Sequence, residues 1–509
     1  MTAEPVACHA NPSGFMSEQV YPLKKDGSTE KSKEWTANVT EKDNYVEFEH
    51  NDPRNPVNFS YTKKWAITLV GVAFTGLSAA TSSAYSYGYD TMIAELGCTR
   101  MEATLGLSMF TIGFAIVPLV SSPFSEEFGR RPVYLVSAFI FLMSQIMIAL
   151  APNVAVVIVG RFLNGFAGST AATLVGGTIA DIWEPAQRGL PMSIYSLLAM
   201  FGTSVGPVVG GWIDMNPNMH WRWIFWMGAI FSGTYLIVAL FFTQETRSSI
   251  ILANVAKQRR KETGDETLRS RSEVDSQSFW MMLKASSTRP LYMLFTEPVV
   301  FAFSLWIGFA WGLVYALIDS IGSVFKSVYA FNTGETGSIF TSLCIGCLLG
   351  CALNYYQETL YTRNFATRGP EARLYVAMLA AVLFPAGMFI YAWTAFPYVP
   401  WIAPAIGLTV FMTSCYVIYQ TVFVYLADCY GKWASSALAG QSLLRNLLGA
   451  AFPLFTEQMY DRLTYEWSNT LFAFIAVAMI PIPYALFFYG DKIRARSKIS
   501  QEITAKDTD

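Results

Sequence analysis

Between residues 66 and 489 the sequence repeats one pattern twelve times: an apolar run of about 20 residues, then a polar break. As a helix, such a run matches the roughly 30 Å of hydrocarbon in a bilayer. The runs cover 66–88, 103–123, 132–150, 154–177, 189–212, 223–242, 294–318, 336–355, 374–394, 400–426, 438–456 and 469–489. They predict an all-α integral membrane protein with twelve transmembrane helices. Only 14% of the 509 residues are charged, against about 25% in soluble domains, so an ordinary soluble enzyme is excluded. The net charge of −2 gives no pull toward nucleic acid.

One break is long. Residues 243–293 carry Arg259-Arg260-Lys261-Glu262 and divide the chain into a six-helix bundle over 65–242 and another over 294–489. Residues 1–64 read as a disordered polar tail without an apolar signal-peptide core, and 490–509 as a second tail. If the chain starts in the cytosol, 29 of its 35 basic residues fall on cytosolic segments. Only Arg100, Arg222, Lys326 and Arg462 fall on the opposite side, while Arg161 and Arg445 lie inside spans. The excess of positive charge therefore places both termini in the cytosol. Cys344, Cys347 and Cys351 sit at helical spacing in an apolar run without a nearby His, which reads as packing rather than metal binding.

The halves repeat. Ala180-Asp181-Ile182-Trp183 closes span four and Ala427-Asp428-Cys429-Tyr430 closes span ten, the aspartates 247 residues apart. Asp214 and Asp461 are also 247 apart, and Pro207/Pro453 and Trp221/Trp467 are each 246 apart. Two pseudo-symmetric bundles place a transport pathway at their interface, where rocking exposes it to each side in turn.

Ser125-Glu126-Glu127-Phe128-Gly129-Arg130-Arg131-Pro132 joins spans two and three. A carboxylate and arginines at a helix end can form charge-assisted bonds to a neighbouring helix. The string resembles the loop signature G-x-x-x-D-x-x-G-R-[RK] of the major facilitator superfamily, with Ser122 and Glu126 in place of the first glycine and the aspartate. Arg161-Phe162-Leu163-Asn164-Gly165 resembles the span-four signature R-x-x-x-G of that superfamily. Gly202, Gly206, Pro207, Gly210 and Gly211 match G-x-x-x-G-P-x-x-G-G, which within it marks proton-coupled exporters. Thr296-Glu297-Pro298-Val299-Val300 and Pro370-Glu371-Ala372-Arg373-Leu374 are similar to the fungal twelve-span drug:proton antiporters. The nearest branch holds polyamine, azole and cercosporin-type toxin exporters, and the resemblance covers about residues 50–495.

The resemblance implies the major facilitator fold and a conformational switch of Glu126, Gly129, Arg130 and Arg131, with Arg130 reaching Asp181. It implies a part for Arg161 in proton coupling; Asp181 is the first candidate to carry the proton, before Asp90 and Glu297. Gly202, Gly206 and Gly210 form a smooth ridge at steps of four, for which Gly346-x-x-x-Gly350 of span eight offers a candidate partner surface. In the superfamily spans one, four, seven and ten line the cavity. Their polar and aromatic faces offer Tyr89, Trp311, Tyr315, Asp319, Tyr416, Tyr419, Gln420 and Phe423 for substrate. Such faces suit a flat, partly apolar ligand.

The expected function is export of small amphipathic or aromatic compounds, such as a toxin or drug, by a plasma-membrane monomer. A polyamine exporter is the alternative, and a proton-coupled nutrient importer a more distant one. No enzyme activity is expected, since the only histidines are His9, His50 and His220, and His220 lies in a short outer loop without an obvious acid–base partner. No cofactor is expected either: there is no Walker string for ATP, leaving the proton gradient as the driving force.

Overall fold

The computed structural model describes residues 45–49, 51–184, 187–270, 273 and 279–495. Of the two polar tails, 1–44, 50 and 496–509 lie outside the described residues. Among the described residues, ten continuous helical stretches are long and apolar enough to cross a bilayer. Two of these are double: Thr333–Thr394 has 62 residues and Ala434–Arg494 has 61, about three times what one crossing needs. The first is broken at Gly369–Leu374, where Gly369 takes φ +58°, and the second at Thr464, with φ 64° and ψ 168°. The flanking segments are tied back on each other, by Gln357 Nε2 donating to the Ala372 carbonyl (2.8 Å) and by the Tyr460 hydroxyl meeting Asn469 (3.3 Å). The chain thus crosses twelve times.

The crossings are α1 (Tyr61–Leu96), α2 (Arg100–Ile116, continued by Pro118–Glu127), α3 (Arg130–Ala149), α4 (Val154–Ile182), α5 (Gly189–Asp214) and α6 (His220–Phe242). The second set is α7 (Pro298–Tyr329), α8 (Thr341–Arg368), α9 (Tyr375–Thr394), α10 (Ile402–Tyr430), α11 (434–463) and α12 (465–494). We call the face carrying residue 61 basal and the opposite face distal.

Helix ends follow local chemistry rather than lipid thickness. Ser60 caps α1, Asn153 caps α4, and Thr99 with Glu102 forms a capping box on α2. Hydropathy placed span seven at 294–318, yet α7 runs Pro298–Tyr329. Pro298 lacks an amide to continue the preceding helix and so starts a new one, while Ala330 in the left-handed conformation stops it. The 243–293 stretch contains a helix, Ser248–Thr263, and most of another, Phe279–Thr296. Beyond the first of these, Arg260 grips Glu273 at 2.8 and 3.0 Å. Its hydrogen bonds hold the Glu273 carboxyl down at about 2, so this contact is intact at neutral pH and is lost only as pH falls toward that value. Among the described residues the only extended pairing is one bridge between Tyr45 and Arg269.

Each half builds the same contacts. α1 packs along α5 as α7 packs along α11, α3 on α4 as α9 on α10, and α2 on α4 as α8 on α10. The halves meet where α2 touches α11 and where α5 touches α8 and the short helix Thr333–Ser338 before it.

The glycine ridge of α5 shows how close these approaches are. A β-carbon on Gly202, Gly206 or Gly210 would run into the carbonyl oxygens of Gly76, Ala80 and Ala84, which climb α1 at the same four-residue step. The partner of the ridge is therefore α1 and not Gly346–Gly350, which instead receives Met412 and Tyr416 of α10. Hydropathy and spacing report a smooth face but not which helix lies against it. Gly206→Val is expected to cost about 1–3 kcal/mol or more through overpacking. The check is a lower unfolding temperature and less monodisperse protein on size-exclusion; unchanged stability would contradict this contact.

Candidate functional site

At the distal end the halves are joined by charge. Arg100, at the start of α2, pairs with Asp319 of α7 and lies 3.7 Å from Glu457 of α11, while Lys326 of α7 reaches back to Asp90 of α1 at 2.9 Å. Arg100 also contacts Asp90 at 3.3 Å within its own half. Three ion pairs thus cross the seam around a small cavity lined by Ser86, Tyr87 and Asp319 among others. Asp319 carries most of the weight, because its side chain is only 12% exposed against 64% for Asp90. Exposed pairs contribute about 0.2–1 kcal/mol each, and removing one partner of a shielded pair costs more. Trp212 Nε1 donating to Ser338 (3.0 Å) and Ser108 donating to the Ala450 carbonyl (2.7 Å) extend this closure.

At the basal end each half holds its own charge cluster. Gly129, at φ +91°, makes the turn into α3 that other residues rarely adopt. It delivers Arg130, whose Nε donates to Asp181 at the end of α4 at 2.6 Å. Arg247, beyond α6, lies 3.7 Å from Asp181 and 3.8 Å from Glu126. Glu245 accepts from the free backbone N–H groups of Arg130 (3.0 Å) and Arg131 (3.2 Å), where a helix N-terminus favours negative charge. The second half repeats the scheme: Arg373 donates to Asp428 at 2.9 Å, and Arg494 pairs with Glu371. Glu297, buried at the start of α7, accepts from the Tyr430 hydroxyl at 3.1 Å.

Between these ends lies an aromatic seam with one buried arginine on each side. Arg161 is wholly buried, and its guanidinium donates to the carbonyls of Thr81 (3.0 Å), Ser82 (2.9 Å) and Gly106 (3.4 Å), between the rings of Tyr85 and Phe110. Its contacts fall just before α1 tightens into a 3-10 turn at Tyr85–Gly88. The Ser82 hydroxyl meets the Tyr315 hydroxyl of the other half at 2.9 Å. Tyr315 packs on Trp311, Trp311 on Tyr419, and Tyr419 on Phe423, with ring centroids 5.9, 5.8 and 4.7 Å apart. The Arg445 guanidinium lies 4.9 Å from the Trp311 ring, 5.1 Å from Tyr419 and 5.6 Å from Phe423. Taking a guanidinium out of water costs several kcal/mol, and one ring returns only about 0.5–2 kcal/mol.

The structure therefore gathers Trp311, Tyr315, Tyr419 and Phe423 at the seam, and buries Gln420 and Tyr416 on the same helix. Tyr416 is turned onto Gly350 of α8, within its own half. Tyr89 lies against Tyr85 and under Arg100, and Asp319 belongs to the distal pairs.

A family model described as Major Facilitator Superfamily matches residues 69–453, three quarters of the chain. The chain belongs to the Major Facilitator Superfamily. Among its relatives in this superfamily, the transporter paaT of Penicillium rubens is 34% identical over 488 residues, 95% of this chain and 87% of that protein. The efflux pump radE of Floropilus chiversii is 34% identical over 89% of this chain and 85% of its own. The multidrug transporter mdrA of Aspergillus fumigatus is 33% identical over 97% and 80%. A solved structure of the xylose transporter XylE from E. coli shares the fold, with TM-score 0.59 and 16% identity over 84% of this chain and 99% of that one. This superfamily member is a multi-pass membrane transporter and not an enzyme.

Several charged residues of the clusters escape a reading of spans and motifs. Arg100 reads only as a basic residue in an outer loop. Glu245 and Arg247, in Gln244-Glu245-Thr246-Arg247-Ser248 at the start of the central loop, stand where many relatives have P-E-T-Y, with no partner named for either. Arg445 carried one signal, a charge inside an apolar run, but nothing linear names the rings around it.

Proposed function

We propose that this transporter is a proton-coupled exporter of small aromatic or amphipathic compounds, working by alternating access in the plasma membrane. In this reading the basal face and both termini are cytosolic, and the protein acts as a monomer. The observation that carries it is the pairing of a distal charge lock with an aromatic seam beneath it: a pathway closed at one end by contacts that rocking of the halves can break. The efflux pump radE among the relatives supports the outward direction. A polyamine fits the seam poorly, because a buried arginine with no carboxylate within 4.0 Å among the described residues faces its aromatic rings.

The sign of the coupling sorts the acids. An antiporter returns to the cytosolic side without substrate but with its proton, so protonation has to favour distal closure. Neutralising Asp90 or Asp319 would weaken the distal lock, which is the wrong sign. Neutralising Asp181 releases Arg130 within one half and leaves the distal lock intact, so it avoids that wrong sign. We therefore assign coupling to Asp181, with Glu297 as the second basal acid and Arg161 as the anchor of the hinge in α1. Asp90 and Asp319 go to the lock.

The test is flux in proteoliposomes under an imposed pH gradient, using fluorescent aromatic compounds. Substrate moving against its gradient in exchange for protons supports the reading; inward proton symport overturns it. One pH unit supplies about 1.4 kcal/mol, a tenfold accumulation per proton. Asp181→Asn is expected to lose that accumulation while still exchanging labelled for unlabelled substrate. Loss of both activities in folded protein would give Asp181 a structural role instead.

A further inference from the structure

The two arginines inside the membrane are dressed very differently. A guanidinium has five N–H donors. Arg161 spends its own on three backbone carbonyls. Arg445, only 5% exposed, makes one hydrogen bond among the described residues, from Nη2 to the Ser442 hydroxyl at 3.3 Å. Its buried Nε has no partner among the described residues, and no carboxylate there comes within 4.0 Å. The buried acids among the described residues are engaged elsewhere, Glu371 with Arg494, Glu297 with Tyr430, Asp214 with Thr91 and Asp52 with Arg54, and the partly buried Asp319 is held by Arg100.

The surroundings point the same way. Arg445 stands eleven residues, about 16 Å, into α11 and so near mid-membrane. Trp311, Tyr419 and Phe423 lie around it, and the indole Nε1 of Trp311 and the Oε1 of Gln420 are buried without partners among the described residues. One turn back on the same face of α11, Gln441 is wholly buried with neither amide atom bonded. Tyr315, one turn from Trp311, touches the other half, so this ring-lined arginine lies beside the seam that rocking opens.

We propose that Arg445 anchors an acidic substrate: a planar aromatic monocarboxylate whose carboxylate pairs with the guanidinium and whose ring stacks among Trp311, Tyr419 and Phe423. One negative charge balances the charge of Arg445, which has no carboxylate partner among the described residues. A dianion would leave excess charge buried, and a cation would double the cost. A guanidinium also matches a carboxylate in two-pronged geometry, which an amide cannot exploit equally. The proposal rests on the export reading for the direction of travel and adds the chemical class of the cargo.

Equilibrium binding to the purified full chain in nanodiscs decides it, with tritiated 2-naphthoate as probe and 2-naphthamide and 2-naphthylmethylammonium as competitors. Saturable naphthoate binding is expected, with the amide at least about tenfold weaker and the ammonium weaker still. Arg445→Gln should erase the acid preference and Arg445→Lys should keep part of it. The wild-type comparison stands alone if Arg445→Gln does not fold. Competitors as effective as the acid, unchanged affinity in folded Arg445→Gln, or no saturable naphthoate binding would each overturn the proposal. Binding is blind to flux direction. Inward symport would therefore sink the export reading alone, and lost acid preference with intact efflux would sink this inference alone.

Discussion

Alanine in place of Arg161 is expected to abolish transport and to lower folding stability by about 2–4 kcal/mol. The side chain is wholly buried and ties α4 to α1 and α2 through the carbonyls of Thr81, Ser82 and Gly106. Charge-assisted hydrogen bonds are worth about 1.5–3 kcal/mol each, and their loss is only partly offset by no longer burying an ion. A cavity between Tyr85 and Phe110 adds to the cost. The functional loss has a separate cause. Thr81 and Ser82 precede the 3-10 turn of α1, and the Ser82 hydroxyl touches Tyr315 across the seam. Without the arginine, movement of one half no longer passes through a fixed point to the other. Thermal unfolding and proteoliposome flux measure the two effects. Arg161→Lys keeps the charge but not the fork geometry, so partial rescue of stability without full transport is expected. Wild-type turnover in folded Arg161→Ala would remove the hinge from the mechanism.

Arg100→Gln should open the distal face. That one side chain contributes two of the three ion pairs across the seam, to Asp319 and Glu457. Its loss leaves Lys326 with Asp90, a pair exposed enough to be screened by salt. The population ratio of distally open to closed protein should rise by roughly 5- to 150-fold, the span of 1–3 kcal/mol of coupling. A cysteine replacing Ser86, beside the small cavity under the lock, reports this in a background free of other cysteines. Its reaction with a membrane-impermeant thiol reagent should quicken by the same factor. Exchanging the charges, with Arg100→Asp and Asp319→Arg together, should slow it again. An unchanged rate in Arg100→Gln would mean that packing around Ser108 and Trp212, not charge, closes that end.

Some of this architecture is legible in the linear sequence because its physics is local. Crossing a bilayer needs an apolar run, so the number of crossings can be counted, although α7 starts where Pro298 dictates and not where hydropathy does. Asp181 and Asp428 recur at one offset, and each receives an arginine from the preceding helix, Arg130 and Arg373. Side chains whose partners lie far along the chain carry no such mark. Glu245 lies 115 residues from the backbone amide it satisfies, and Arg100 lies 219 from Asp319. The glycine ridge was visible as a smooth face, yet α1 could not be named as its partner.

The sequence alone determined that this chain lives in lipid as two copies of a six-helix unit, because hydropathy and duplication are properties of order along the chain. Which charges meet, which rings surround Arg445 and which glycines touch which carbonyls were decided only by the tertiary structure. Those contacts depend on the rotation of each helix about its axis and on its neighbours, and a helix of given composition can present any face until packing selects one.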